Sequence, residues 1–152
     1  MPVSTLPQPA LSTGVAGTGP AFRARPFTTQ SVTSGVFTKV TLGTEDFDTN
    51  NNFASSRFTP TVAGYYFISG VLYATMTSSA YVWAIIYKNG VLDITGNLNV
   101  PVTTVDGIGV ANGLVYLNGS TDYVELYCYL AGTSPVISNG NTQFSGFLAR
   151  AA

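Results

Sequence analysis

Two segments in the middle of the chain are apolar on both faces of a predicted strand. Residues 64–74 place Tyr65, Phe67, Ser69, Val71 and Tyr73 on one face and Tyr66, Ile68, Gly70, Leu72 and Ala74 on the other. Residues 81–87 show the same two-sided pattern. An antiparallel strand with one face in water normally alternates apolar and polar residues, so both faces of these segments are expected to be buried.

Burial of both faces predicts contact with two different surfaces. One face can meet the core of the domain itself. The other is expected to meet another copy of the chain, because aromatic residues are favoured in protein interfaces. The alternative is a thick core in which the N-terminal segment covers the second face. We expect a homo-oligomer.

The chain is predicted to be all-β from residue 21 onward. Segments rich in Val, Ile, Thr, Tyr and Phe alternate with turn residues, and no helical period is sustained. An Asn-Gly pair at 89–90 predicts a tight hairpin, and residues 46–52 are expected to form an exposed loop. The predicted strands are 21–25, 35–41, 57–59, 64–76, 81–88, 91–97, 107–116, 123–131 and 143–149. Many short strands imply a sandwich, a barrel or a jelly roll.

Charge and hydropathy exclude some partners. Only 9% of the 152 residues are charged, whereas a typical soluble domain has about 25%. The six basic residues are scattered and the net charge is −1, so we expect no binding to nucleic acid. No apolar run reaches the roughly 18 residues of a membrane-spanning helix. The N-terminus shows no apolar, basic-flanked leader, so no secretory signal is expected.

Residues 1–20 differ from the rest and are predicted to form an extended arm before a domain at 21–152. The segment has no charged side chain, and its prolines favour a polyproline-like backbone. It could be a disordered tail or an arm docked on a partner, and we expect the docked arm. The residues expected to anchor it are Pro2, Val3, Leu6, Pro7, Pro9 and Leu11.

Few residues in the chain could carry chemistry. There is no histidine, which removes the usual base for serine or cysteine nucleophiles and the commonest zinc ligand. The single cysteine, Cys128, is expected to be a small buried hydrophobe rather than a reactive thiol. A carboxylate pair for glycoside hydrolysis could be imagined within the acidic cluster of Glu45, Asp46 and Asp48, but we expect these residues to lie in a solvated loop. We predict neither an enzyme nor a cofactor.

Several segments together resemble the globular-head domain of the complement and tumour-necrosis-factor-like jelly rolls. The resemblance covers about residues 21–150 and keeps the family's order. It is carried by 21–24 (AFRA), by Phe47, Phe53 and residues 58–60, by 60–67 (PTVAGYYF, with one extra residue before the glycine), by 86–90 (IYKNG) and by the closing 143–148 (QFSGFL). The resemblance implies an antiparallel jelly-roll β-sandwich that assembles as a trimer.

The resemblance also implies where the subunits meet. The strands that match 64–74 and 143–149 belong to the family's inner sheet, which supplies the trimer contact. The residues expected there are Tyr65, Phe67, Tyr73, Phe144 and Phe147. Some relatives hold calcium near the trimer apex, but Asp93 and Asp106 stand alone, so no metal site is predicted.

Function does not follow from such a fold alone. The uncharged arm, the polar low-charge surface and the trimeric fold together favour a non-enzymatic virion structural protein. We expect a bacteriophage capsid-decoration or head-fibre protein, anchored by its arm to the capsid or another virion protein. It would be assembled in the host cytoplasm and lie on the virion surface.

Two alternatives stay open. The first is the receptor-binding tip of a tail fibre that recognises a host glycan or protein. Trp83 and Tyr129 could then stack on sugars, although buried packing would explain both residues more simply. The second alternative is a secreted ligand-like binding module.

Overall fold

The described part of the chain consists of strands and turns. The computed structural model describes residues 19–77, 81–99 and 106–152, and within them it contains thirteen strands and no helix. The strands are β1 (Ala21–Arg25), β2 (Gln30–Ser31), β3 (Val36–Lys39), β4 (Thr44–Asp48), β5 (Phe53–Ala54), β6 (Arg57–Phe58), β7 (Ala63–Thr75), β8 (Tyr81–Lys88), β9 (Val91–Asn99), β10 (Gly107–Asn118), β11 (Val124–Ala131), β12 (Val136–Ile137) and β13 (Gln143–Ala151).

These strands form two antiparallel sheets that face each other. The first sheet has the order β2-β12-β7-β13-β1-β4, with β10 on the free side of β7. The second sheet has the order β5-β6-β11-β8-β9, with β3 also paired to β11. β7 is the central strand of the first sheet, because β10 pairs with it from residue 63 to residue 74 and β13 lies along its other side.

The core lies between the two inward faces. Phe22 of β1 stacks on Phe58 with ring centroids 4.2 Å apart and meets Phe144 of β13 edge-on at 5.1 Å. Tyr66 of β7 is fully buried beside them, and its hydroxyl donates a 2.7 Å hydrogen bond to the carbonyl of Val62. Burial raises the pKa of Tyr66 to about 12. The predicted aromatic strands thus supply the centre of the domain.

A glycine sets how closely the two sheets approach. Gly70 of β7 points inward at Leu126 of β11, and a methyl group added at Gly70 would clash with the Leu126 side chain. Protein interiors are close-packed, and the Leu126 side chain occupies the space that a side chain at residue 70 would need.

The predicted strands agree with the structure apart from a few ends and short pieces. The hairpin at Asn89 and Gly90 is confirmed by their positive φ angles of 52° and 78°. The predicted loop 46–52 is wrong in its first part, because β4 extends through Asp48 and pairs with β1. The two-residue strands β2, β5, β6 and β12 are too short to show a periodic pattern, and of these only β6 falls within a predicted strand.

Residues 1–18, which hold all six predicted anchoring residues of the arm, lie outside the described residues. Among the residues that are described, none belongs to a helix of the length and hydrophobicity needed to cross a membrane.

Candidate interaction surfaces

The outward side of the first sheet carries a row of large apolar side chains. On β7 the odd-numbered residues from 65 to 73 point outward, while the even-numbered ones are buried. The strand register then places Phe67 between Leu114 of β10 and Phe147 of β13, and it places Tyr65 beside Tyr116. We call these five side chains the first-sheet patch.

The first-sheet patch is unusually apolar for a surface in water. Leu114 is 64% exposed and Phe147 is 50% exposed, and Tyr65 and Tyr116 are also open. The rings contact one another: Phe67 and Phe147 lie 5.8 Å apart, and Tyr65 and Tyr116 lie 5.4 Å apart. Contiguous exposed apolar side chains of this kind mark protein contact surfaces.

The same face becomes polar along β7 and then apolar again. Ser69 pairs with Asn112 and Ser145 in the middle of the sheet. Further along, Tyr73 lies beside Ile108, and its hydroxyl donates a hydrogen bond to the carboxylate of Asp106. This hydrogen bond raises the pKa of Tyr73, with smaller contributions from desolvation and the negative charge. Tyr73 is thereby fixed in orientation.

The five predicted trimer residues do not all lie on the same face of the first sheet. Tyr65, Phe67, Tyr73 and Phe147 share the outward face of the first sheet. Phe144 does not: it is fully buried against Phe22 in the core of the domain, so its predicted place in a contact between subunits is wrong. The reason is the alternation of β13, in which the odd-numbered residues 143, 145 and 147 point outward and Phe144 points inward.

Sequence reasoning missed the contribution of β10. Leu114 and Tyr116 lie in the first-sheet patch, yet neither was predicted to be there. A signal was present in the sequence, because on this strand the outward residues are large whereas Gly107, Gly109 and Gly113 alternate with them. Small residues on one side indicate the side on which the opposite layer approaches.

A second aromatic surface lies on the outward side of the second sheet. The register places Phe37 of β3, Tyr129 of β11 and Trp83 of β8 in one row across three strands. With Tyr81 they line an open depression of about 360 Å³. We call these four side chains the aromatic dish. The expectation that Trp83 and Tyr129 are buried packing residues is wrong in part, since both are only partly buried on this outward face.

An ion-pair cluster lies further along the same outward face. The buried carboxylate of Glu125 accepts hydrogen bonds from Lys39 at 2.7 Å and Arg57 at 2.9 Å. The guanidinium of Arg57 also lies 3.7 Å from the ring centre of Tyr123. Lys39 donates a second hydrogen bond to the carbonyl of Ser55. The cations already have partners within the fold, so the cluster is a structural one.

The acidic residues predicted to be solvated have structural partners as well. Asp46 forms ion pairs with Arg23 at 3.2 Å and Arg25 at 2.7 Å. Asp48 accepts a 2.7 Å hydrogen bond from the backbone N–H of Phe53. Within the described ranges there is no group of three or more residues of the metal-binding types that could hold an ion.

Cys128 lies in the core with no exposed surface. Burial raises the pKa of its thiol to about 12, which leaves almost no thiolate at neutral pH. Because the thiolate is the nucleophilic form, the geometry gives Cys128 no route to covalent chemistry. Its predicted role as a small buried hydrophobe is confirmed.

Comparison with known proteins identifies the fold. No protein-family model and no curated protein matches the sequence. Among solved structures, the globular domain of a zebrafish complement 1qA protein superposes with a TM-score of 0.63 at 19% identity, covering 88% of this chain and 99% of that one. Murine APRIL at pH 5.0 gives a TM-score of 0.62 at 10% identity, covering 86% of this chain and 98% of that one. The predicted fold, an antiparallel jelly-roll β-sandwich of the complement-head and TNF-like kind, is confirmed.

Proposed function

We propose that this protein is a non-enzymatic binding and structural module that works as a homotrimer. The observation that carries the proposal is the first-sheet patch, in which the exposed side chains of Leu114 and Phe147 flank the partly buried Phe67 in one apolar row. Burying such side chains is favourable by roughly 1.5–3 kcal/mol each. The patch occupies the sheet that the resemblance to complement heads assigns to the trimer contact.

Three-fold assembly suits the position of the patch. A closed ring of three copies covers the patch of every subunit, so no copy is left with an open apolar face. The two tyrosines at the end of the patch can bury their rings while the hydroxyls stay at the wet rim, as is usual for interface tyrosines.

The mass of the full chain in solution tests the trimer. Light scattering after size exclusion is expected to give three times the 16.0 kDa subunit mass. A subunit mass that stays at one copy across micromolar concentrations would overturn the proposal. A mass of two copies would overturn it equally, because two copies form a two-fold contact and not the proposed three-fold ring.

We further propose that the trimer lies on a virion surface and is anchored there by residues 1–20. This proposal is supported by the low content of charged residues and by the uncharged proline-rich arm. The carbonyl of Pro20 accepts a 3.0 Å hydrogen bond from the N–H of Leu148, which ties the start of the domain to β13. Three arms on one trimer would strengthen attachment through avidity.

Deletion of residues 1–18 tests the anchoring role. Since Gly19 and Pro20 remain in place against Leu148, the domain is expected to fold and to form its trimer. Attachment to virion particles that lack the protein should be lost. Attachment at the level of the full chain would refute the role of the arm and leave the trimer proposal untouched.

One observation favours the alternative role as a host-binding tip. The aromatic dish is an open concave surface on the side of the domain away from the first-sheet patch. A decoration protein that only stabilises a shell has no need of such a surface. The likeness to the complement 1qA globular domain and to APRIL supports the other alternative, a ligand-like binding module.

A further inference from the structure

The aromatic dish is built by strand register and not by chance contact of loops. Tyr129 of β11 is paired with Phe37 on one side and with Trp83 on the other. The ring centroids of Phe37 and Tyr129 are 5.0 Å apart, and those of Trp83 and Tyr129 are 6.4 Å apart. Tyr81 precedes Trp83 by two residues and therefore points to the same side.

The rings of the dish are arranged to leave space. The planes of Phe37 and Tyr129 are tilted by 47° and those of Trp83 and Tyr129 by 81°. Further along the same face, Tyr87 and Tyr127 stack at 4.0 Å and 22°, which fills the space between them. The same sheet face thus holds a closed aromatic pair and an open aromatic depression. Only the second offers room for a ligand.

The dish is accessible, and its polar groups limit what can bind. Phe37 is 44% exposed and Tyr81 is 45% exposed. Among the residues that the structure describes, no charged side chain lines the depression. The indole N–H of Trp83 already donates a 3.0 Å hydrogen bond to the carbonyl of Gly96, so the residue offers its ring and not its donor. Tyr81 and Tyr129 add phenol groups, which can both donate and accept.

We propose that the aromatic dish binds neutral sugar residues of a surface glycan. A pyranose has an apolar face of C–H groups and a rim of hydroxyls. The first matches aromatic rings and the second matches tyrosine hydroxyls. An uncharged ligand also matches an uncharged lining, since ligand sites combine apolar walls with a few polar groups that fix orientation. The inference rests on the proposed role as a binding module and names its ligand class.

The dish stays open when the trimer forms. The first-sheet patch and the dish lie on the outward faces of opposite sheets, and packed sheets are about 10 Å apart with the core between them. Each trimer would therefore present three dishes at fixed spacing. Weak binding of single sugars at each dish would add up on a glycan-covered surface.

A cationic ligand is the main competitor for such a surface. Aromatic rings also bind quaternary ammonium groups through cation–π attraction, best on Trp. Within the described ranges, no carboxylate lines the dish to balance a cation. The rings of Phe37, Trp83 and Tyr129 lie 5.0–6.4 Å apart on one face of a sheet, so they line an open depression and do not enclose a cation from several sides. A neutral sugar lying across the rings is the better fit.

The single tryptophan of the chain makes binding directly measurable. Trp83 is the only Trp, so its fluorescence reports on the dish alone. The full chain is titrated with a panel of neutral methyl hexopyranosides and methyl N-acetylhexosaminides, and with choline chloride, each up to tens of millimolar. At least one sugar is expected to shift or quench the emission with saturation. No saturable change with any sugar, or saturation with choline alone, would overturn the proposal.

Matched variants then locate the site. Tyr81→Ala and Phe37→Ala are expected to weaken sugar binding at least tenfold, because each removes an exposed wall of the dish. Phe27→Ala removes an aromatic ring that is 75% exposed elsewhere on the domain and should leave binding unchanged. Tyr81→Phe keeps the ring and should lose less affinity than Tyr81→Ala. Unaltered affinity in both alanine variants would overturn the assignment.

Two readouts keep this proposal separate from the trimer. Thermal melting of each variant shows that it is folded, and its mass is measured in the same sample. A trimer that binds no sugar contradicts the dish alone. A monomer that binds sugar contradicts the trimer alone.

Discussion

Phe147 of β13 lies directly opposite Phe67 of β7 on the outward face of the first sheet, with the ring centroids 5.8 Å apart. The neighbouring Phe144 on the same strand points the other way, into the core. Two phenylalanines three residues apart therefore have different roles, since Phe144 packs within the subunit and Phe147 lies at its surface. Their separate roles can be tested by substitution.

Phe147→Lys is expected to abolish the trimer without unfolding the subunit. The substitution places three charges in the proposed contact, and burying an unpaired charge is strongly unfavourable. Sedimentation velocity should show a single subunit with the circular dichroism of the native strands. Val91→Lys, at the exposed tip of the β8–β9 hairpin, is the matched control and should remain trimeric. A Phe147→Lys protein that still forms trimers would place the contact elsewhere.

Phe144→Ala is expected to destabilise the fold itself. Truncating a fully buried phenylalanine removes its packing against Phe22 and leaves a cavity, at a cost of about 3–5 kcal/mol. Urea denaturation should show the loss in free energy of unfolding. Phe144→Ala is measured in the monomeric Phe147→Lys background, so that assembly does not contribute. It is compared with a Phe147→Ala protein that keeps Phe144. If the two alanine variants were equally stable as subunits, the inward position of Phe144 would be refuted.

Cys128 is expected to be inert in the native protein. Its pKa is raised to about 12 by burial, whereas an exposed cysteine titrates near 8.5. Because the folded pKa is the higher one, the resulting stability is present below the unfolded value and declines as the pH rises from about 8.5 towards 12. A thiol reagent at pH 8 should label the protein only after denaturant is added. Rapid labelling without denaturant would contradict the buried position.

Asp122 is expected to make the β8–β9 hairpin region acid-sensitive. A hydrogen bond from Asn89 is the main cause of its lowered pKa, helped by Lys88 and the N–H of Asn118. The folded pKa is the lower one, so the stabilisation is present above about 3.9, the unfolded value, and is lost as the pH falls through the folded pKa. Asp122→Asn should reduce the decline of stability below pH 4. An acid decline that is unchanged in Asp122→Asn would contradict this role of Asp122.

The fold class and most strand positions could be predicted from the sequence because they depend on local patterns. These patterns are the two-sided apolar segments, the Asn-Gly turn at 89–90 and the motifs that occur in the same order as in a known jelly roll. The short strand β12 could not be predicted, because it is held by pairing with β2 and β7 and not by any pattern of its own. Pairing partners distant in sequence are set by the whole fold.

The candidate surfaces were harder to predict for a related reason. Alternation shows that a strand has two faces, but the choice of the inward one depends on the layer that covers it. Phe144 was misplaced for this reason. The dish needs three strands in register, with Phe37 more than forty residues from Trp83 and more than ninety from Tyr129. No local pattern links residues so far apart in the chain.

The hydrogen bond between Leu148 and Pro20 brings the two ends of the domain together. A second bond, from the N–H of Ala152 to the carbonyl of Ala63, fixes the last residues along β7. The chain therefore enters and leaves the sandwich at one place, as is common in domains that accept insertion into other proteins. A fusion partner at either end would emerge from the same region, and the dish, on the opposite sheet, would remain available for display.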